Sequence, residues 1–241
     1  MVISSSLDRL RARLEEPVAA SDPARPNIGR IYDYLLGGTT NFAADQDEAA
    51  RLLAADPQLP ELARQNRAFL TRAVTYAARQ GVRQFIDVGA GLPTSPSTHE
   101  TAETVLPDAR VAYVDNDPVV IAHARGLLSR SARIVAVPGD LREPEAILRD
   151  PVLTSHIDPA EPVCALLVAV LHFLDAPAAA APPRRSPGPW RRAATWSCRS
   201  ARLPPATSPA CTAPTRRPGC IITAGPTSRA SSPAWTCCRP A

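Results

Sequence analysis

The chain has 241 residues, 45% of them apolar and 21% charged, which allows one sizeable domain with or without a tail. All 27 basic residues are Arg, and the formal net charge of +4 conceals two different polymers: residues 1–175 hold 17 Arg and 23 acids, whereas residues 176–241 hold 10 Arg and no acid. The most apolar run, residues 162–174, is too short to span a bilayer, and the first 16 residues carry repeated charges instead of the long apolar centre of a secretory leader, so a cytoplasmic protein with no membrane partner is expected.

Residues 2–16 read as an amphipathic helix, with Ile3, Leu7, Leu10 and Leu14 at helical spacing. A Pro-interrupted linker follows over 21–27. Ile28, Ile31, Tyr32 and Leu35 fit one face of the next helix, and Gly37-Gly38 stops it. Two further helices are expected over 45–55 and 59–79, the second turning Leu62, Phe69, Leu70 and Val74 inward and ending at Gly81. Strand and helix then alternate. Strands are expected over 83–88, 110–114, 133–137 and 163–171. Helices are expected over 97–106 and 118–128, with short helical pieces over 143–149 and 151–156. Near-continuous apolar strands separated by helices imply a parallel sheet covered on both faces.

The stretch Gln84-Phe85-Ile86-Asp87-Val88-Gly89-Ala90-Gly91-Leu92-Pro93-Thr94 organises the rest. A buried strand runs into a glycine turn at its carboxyl end, where α/β sheets bind ligands. Gly89 and Gly91 allow a sharp turn and close approach of backbone N–H groups, and Ser97 or Thr98 starts the next helix with Glu100 close behind. A dinucleotide fingerprint would want a third glycine where Thr94 stands, which disfavours an NAD-type site. Asp87 before the glycines suits a ligand carrying a positive group. The Asp-x-Gly-x-Gly pattern resembles the first motif of S-adenosylmethionine (SAM) methyltransferases, although it also occurs in ordinary strand-to-helix turns.

Acids recur at strand ends. Asp115 closes the second strand at about the distance from the glycine turn at which an acid grips ribose hydroxyls, and a carboxylate can accept from both vicinal hydroxyls. Asp140, after the third strand, can accept from an adenine amino group. Asp87 can hold the cationic amino-acid end of SAM. Singly, each is as ordinary as a helix cap; three at successive strand ends beside a double-glycine turn favour a nucleotide-like ligand. His172 follows the fourth strand, where a methyl acceptor would sit, and is the candidate base, with a hydrogen-bonded structural role as its alternative. His99, His123 and His156 lack metal-ligand spacing, and Cys198, Cys211, Cys220, Cys237 and Cys238 lack paired C-x-x-C spacing, so no metal site is expected.

The segments 25–45, 66–70 (Asn66-Arg67-Ala68-Phe69-Leu70), 84–94, 113–120 and 168–173 resemble the actinobacterial SAM-dependent methyltransferase family formerly counted a domain of unknown function. The resemblance covers roughly residues 25–175. It implies an α/β fold: a Rossmann-like SAM methyltransferase sheet with an N-terminal helical cap over residues 1–80 and a partial SAM-binding domain over 81–175. It also implies that Gly89, Gly91, Asp115, Asn116, Asp140 and Leu141 line the SAM site, with methyl transfer to an unidentified small molecule. The expectation from the residues themselves is that the sheet is truncated after the fourth strand, which leaves that strand as an apolar edge, and that residues 176–241 form a disordered Arg/Pro-rich tail.

The tail also reads as a shifted frame. Trp is encoded only by TGG, and Cys codons begin with TG. One nucleotide upstream, with Ser taken as TCN, Thr195-Trp196-Ser197-Cys198 becomes NTG-GTC-NTG, an aliphatic–Val–aliphatic strand core. Ala234-Trp235-Thr236-Cys237-Cys238 likewise becomes aliphatic, Asp, aliphatic, Leu, with Met also allowed at the aliphatic positions. Such a chain would be impaired as an enzyme. The competing functions are a non-catalytic SAM-binding regulator and an Arg-tailed nucleic-acid binder. The second lacks any aromatic stacking platform or reading helix and is disfavoured.

Overall fold

The computed structural model describes residues 22–128, 131–171, 197–198 and 220–224; the helix expected over 2–16, His172 and most of the tail lie outside the described residues. Three helices come first: α1 (Ile28–Leu35), α2 (Ala43–Ala55) and α3 (Leu59–Arg79). Asn27 caps α1 by accepting the Arg30 N–H, and Gly37, at φ +81, follows its last turn. Ile31 is fully buried against Ala49 and Leu52 of α2, as helical spacing predicts. On α3 the buried stripe is Ala63, Phe69, Leu70, Ala73, Val74, Ala77 and Ala78, while Leu62 is only half-buried. Gly81, at φ +85, ends that helix.

The alternating part runs β1 (Gln84–Val88), α4 (Thr98–Glu103), β2 (Arg110–Asp115), α5 (Pro118–Leu128), β3 (Ile134–Pro138), α6 (Pro144–Arg149), α7 (Pro151–His156) and β4 (Val163–Val168). Residue alternation along the strands divides the core in two. Phe85, Val111, Tyr113 and Leu166 pack on one face with α3, α4 and α5. Ile86, Val88, Ala112, Val114 and Val137 pack on the other with Ile147, Leu153 and Ile157. α3 therefore belongs to the same apolar cluster as the sheet.

The strand expected to reach residue 171 ends at Val168, because Ala169 turns out of the extended region at φ +56. Nor is β4 left as an edge. Residues 220–224 form a strand, β6 (Cys220–Ala224), that pairs with β4 in parallel from Cys164 opposite Cys220 to Val168 opposite Ala224. The two-residue β5 (Ser197–Cys198) pairs in turn with β6. Ile221, Ile222 and Thr223 give the tail a β-branched run that its Arg/Pro-rich composition hides, and the N–H and C=O row of β4 offers it a template. The sheet is parallel throughout, in the order β3-β2-β1-β4-β6-β5. Strand order reverses between β1 and β4, and the carboxyl ends flanking that reversal are where an open α/β sheet makes its ligand crevice.

Candidate functional site

The turn after β1 is drawn tightly against its neighbours. Gly89 (φ +71) donates its N–H to the Val114 carbonyl at 2.8 Å. A Cβ at Gly89 would lie 2.4 Å from Val170 Cγ2, in the loop after β4. The two loops on either side of the strand-order reversal thus meet at a position only glycine fits. Gly91 (φ +64) has no packing constraint, since a Cβ there would meet nothing within 4 Å. Its role lies in its backbone, whose N–H donates to Asp115 Oδ2 at 2.9 Å.

Asp115 is the acid that closes β2. Its other oxygen accepts the Asp117 N–H at 2.9 Å. Burial pushes its carboxyl above the ordinary carboxylate range, against the N–H groups of Asp117 and Gly91, which favour the anion. Asp87 lies on the same face as Phe85, because side chains alternate along β1. Burial raises its pKa first; the Thr98 hydroxyl, which donates to Oδ2 at 2.6 Å, and the Arg67 charge oppose the rise, while Asp115 adds to it. Two buried carboxyls with raised pKa values thus stand at adjacent strand ends.

Around them opens a shallow cleft, continuous with solvent, bounded by the glycine turn, Arg67, Asp87, Tyr113, Asp115 and an apolar wall of Leu92, Val120, Ile121 and Ala124. Ser97 caps α4, and Glu100 Oε2 accepts the Ser97 N–H at 2.7 Å, the reciprocal capping arrangement that the Ser-x-x-Glu spacing predicts. The next side chain, Thr98, is thereby aimed at Asp87. Tyr113 accepts the His99 N–H at 3.0 Å and contacts His99 Nδ1 at 2.8 Å; burial raises its pKa.

The sequence-derived residues fall into three groups. Asp87, Gly91 and Asp115 line the cleft, and Gly89 lies in the same turn, where it sets the turn's conformation. Asn116, Asp140 and Leu141 come together at the neighbouring strand ends, outside the cleft lining. Asp140 is held below the ordinary carboxylate range chiefly by Arg142, which forks onto it with contacts of 3.0, 3.0 and 2.5 Å, and Asn116 also donates to it. Leu141 packs against the second core face. Gly139 ties this group to the first by donating its N–H to the Asp115 carbonyl at 2.9 Å. His172 lies outside the described residues.

Sequence reasoning assigned no site role to Arg67 or Tyr113, and gave Thr98 only a place at the start of a helix. Alternation along β2 would have put Tyr113 on the same face as Asp115, and the capping box would have singled out Thr98. Arg67 had no signal beyond its place in the Asn66-Arg67-Ala68-Phe69-Leu70 segment, since which way a helical Arg turns depends on what packs against the helix.

The model of the S-adenosyl methyltransferase family matches residues 15–182. The chain belongs to that family. Its cofactor is S-adenosylmethionine, as the double-glycine turn and its acids suggested. Among solved structures, a protein from Thermobifida fusca YX described as a candidate methyltransferase is 42% identical at a TM-score of 0.64, covering 68% of this chain and 62% of its own. A DUF574 family protein from Streptomyces avermitilis MA-4680 is 39% identical at a TM-score of 0.62, covering 65% of this chain and 61% of its own. The chain thus spans less than two thirds of the length of either relative. No curated protein matches the sequence. Among the described residues no helix of this methyltransferase-family chain is long and apolar enough to cross a membrane, and no His, Cys, Asp and Glu cluster could hold a metal ion.

Proposed function

We propose that the chain binds S-adenosylmethionine in the cleft beside β1 and β2 and that its fold serves methyl transfer to a small-molecule nucleophile. The carrying observation is Asp115: a buried strand-end carboxylate fastened to the Gly91 N–H, in a chain of this family. The residues suit the ligand. Leu92, Val120, Ile121 and Ala124 offer an apolar wall to an adenosine, Asp115 offers acceptors to ribose hydroxyls, and Asp87 offers a carboxylate to a cationic amino-acid end. In this reading Gly89 and Gly91 shape the turn that passes the ligand, while Asn116, Asp140 and Leu141 border its base. Bound there, the sulfonium supplies a methyl group that an already nucleophilic acceptor can take.

The chain's own contribution is alignment and water exclusion. Fixing donor and acceptor in a near-attack geometry is worth up to about 7–11 kcal/mol. His172, which follows β4 in the sequence, is the candidate to take a proton from the acceptor where one must leave. Helices α1 to α3, within residues 1–80, act in this reading as a cap, and residues 81–175 as the binding domain. Asn27 supports the cap reading: its Nδ2 donates to Asp117 Oδ2 at 2.5 Å, beside Asp115.

Calorimetric titration with S-adenosylhomocysteine, together with radiolabelled methyl transfer to a metabolite panel, tests the reading. Saturable binding at one site supports it, and absence of binding refutes it. Binding without transfer to any acceptor supports the alternative, a SAM-binding regulator. That alternative is favoured by one observation: the family match stops at residue 182, while the chain continues for 59 residues of acid-free sequence. We further read residues 176–241 as translated out of frame. Sequencing the gene tests this: an open frame displaced by one nucleotide across the codons for Thr195 to Cys238 supports it, and stop codons throughout that frame refute it.

A further inference from the structure

The cleft contains one cation and two anions that do not neutralise each other. Arg67 rises from α3, on the helical side, and Asp87 from β1, on the sheet side; both line the cleft, yet no ion pair or hydrogen bond joins them. Arg67 Nη2 donates to the Thr94 carbonyl at 2.9 Å and to the Pro96 carbonyl at 2.7 Å, which fixes the guanidinium against the loop after the glycine turn. Its Nε is buried without any hydrogen-bond partner. An orphaned guanidinium donor out of water is costly unless an acceptor arrives. Asp87, on the other side, is a carboxylate whose burial wants a cation.

We propose that Arg67 is the residue that selects donors by their carboxylate: its Nε takes the α-carboxylate of the ligand's amino-acid end while Asp87 takes the α-ammonium, so that the cleft reads a zwitterion. The inference rests on the SAM-binding reading above and deepens it. A guanidinium already tethered through one nitrogen loses little freedom on donating to a carboxylate from another, and such a charge-assisted contact is of the stronger kind. The same contact joins α3 to the loop over 92–97 through the ligand. A ligand with the adenosine but without the carboxylate would leave Nε orphaned.

The test compares S-adenosylhomocysteine, its decarboxylated analogue and 5′-methylthioadenosine by calorimetry on the full chain and on Arg67→Gln, Arg67→Lys and Asp87→Asn. The wild-type chain is expected to bind S-adenosylhomocysteine at least ~30-fold tighter than the decarboxylated analogue, the scale of one charge-assisted contact. Arg67→Gln collapses that ratio to within ~3-fold by weakening only the carboxylate-bearing ligand, and Arg67→Lys restores part of it. Asp87→Asn weakens both amine-bearing ligands and leaves 5′-methylthioadenosine unchanged. Because each ratio is taken within one variant, a general loss of fold or loop order cancels. Equal weakening of the two amine-bearing ligands in Arg67→Gln overturns the proposal, as does a wild-type ratio near one, which needs no variant. If none of the three ligands binds the wild-type chain, the SAM-binding reading falls with it; if the decarboxylated analogue binds as tightly as S-adenosylhomocysteine while 5′-methylthioadenosine binds more weakly, only the role of Arg67 falls, and if all three bind equally the zwitterion reading falls with it.

Discussion

Asp87 and Asp115 carry most of the electrostatic character of the cleft, and their burial gives it a pH dependence with a definite sign. Both carboxyls have pKa values raised above the ordinary carboxylate range, burial being the first cause in each. The folded chain therefore binds more protons than the unfolded one between the ordinary and the raised values. The stability each carboxyl contributes is complete below the ordinary range and is lost as pH rises through the raised pKa. A cationic ligand reverses the preference, because it favours the anion. Affinity for S-adenosylmethionine should strengthen as pH rises through the raised values and then level off, with protons released on binding. Titration in buffers of different ionisation enthalpy between pH 4 and 8 measures both; affinity that falls over that range contradicts the assignment.

Two elements set the shape around these residues, and each has a single position on which it depends. In the turn after β1 that position is Gly89. Its φ of +71 is unfavourable for an L side chain, and Val170 Cγ2 would stand 2.4 Å from the new Cβ. Gly89→Ala should lower stability by about 2–4 kcal/mol, from the backbone conformation and the overpacking together, as read by urea unfolding. In the helical hairpin of α1 and α2 the position is Asp45. It is fully buried, and its carboxylate accepts from Arg30 Nε at 2.7 Å, the Asn27 N–H at 2.8 Å and the Phe42 N–H at 2.8 Å. Arg30 is itself 5% exposed and stacks over the Phe42 ring. Removing the acid would strand a buried guanidinium, so Asp45→Ala should cost about 3–5 kcal/mol. Because Asn27 also reaches Asp117 beside the cleft, the same variant should weaken ligand binding, whereas exposed Arg64→Ala on α3 should change neither.

At the scale of the whole molecule, the ligand should act as part of the fold. It would touch both the α3 side and the sheet side of the cleft, and anything that binds only the folded chain stabilises it by mass action. At a hundredfold excess over Kd that is about 2.7 kcal/mol. For a chain of this size the melting midpoint should rise by about 5–10 °C, and a midpoint unmoved by saturating S-adenosylmethionine would contradict binding in the cleft. The alternating pattern of strands and helices, the glycine turn at a strand end, the capping box at Ser97 and the acids closing the strands were all legible in the amino acids. Each rests on a local rule: residue periodicity, backbone freedom at glycine, or a short side chain beside a free N–H. The end of β4 was not legible, because apolar residues continue past Ala169 while the backbone does not stay extended. Neither was β6, because Cys220–Ala224 becomes a strand only where β4 offers it an edge. The partnership of Arg67 with the cleft was hidden for the same reason. Composition and spacing determine which elements form and what chemistry stands at their ends; only tertiary packing decides which charge from α3 lines the same cleft as the acids of the sheet, since that placement brings together residues distant in the chain and obeys no local rule.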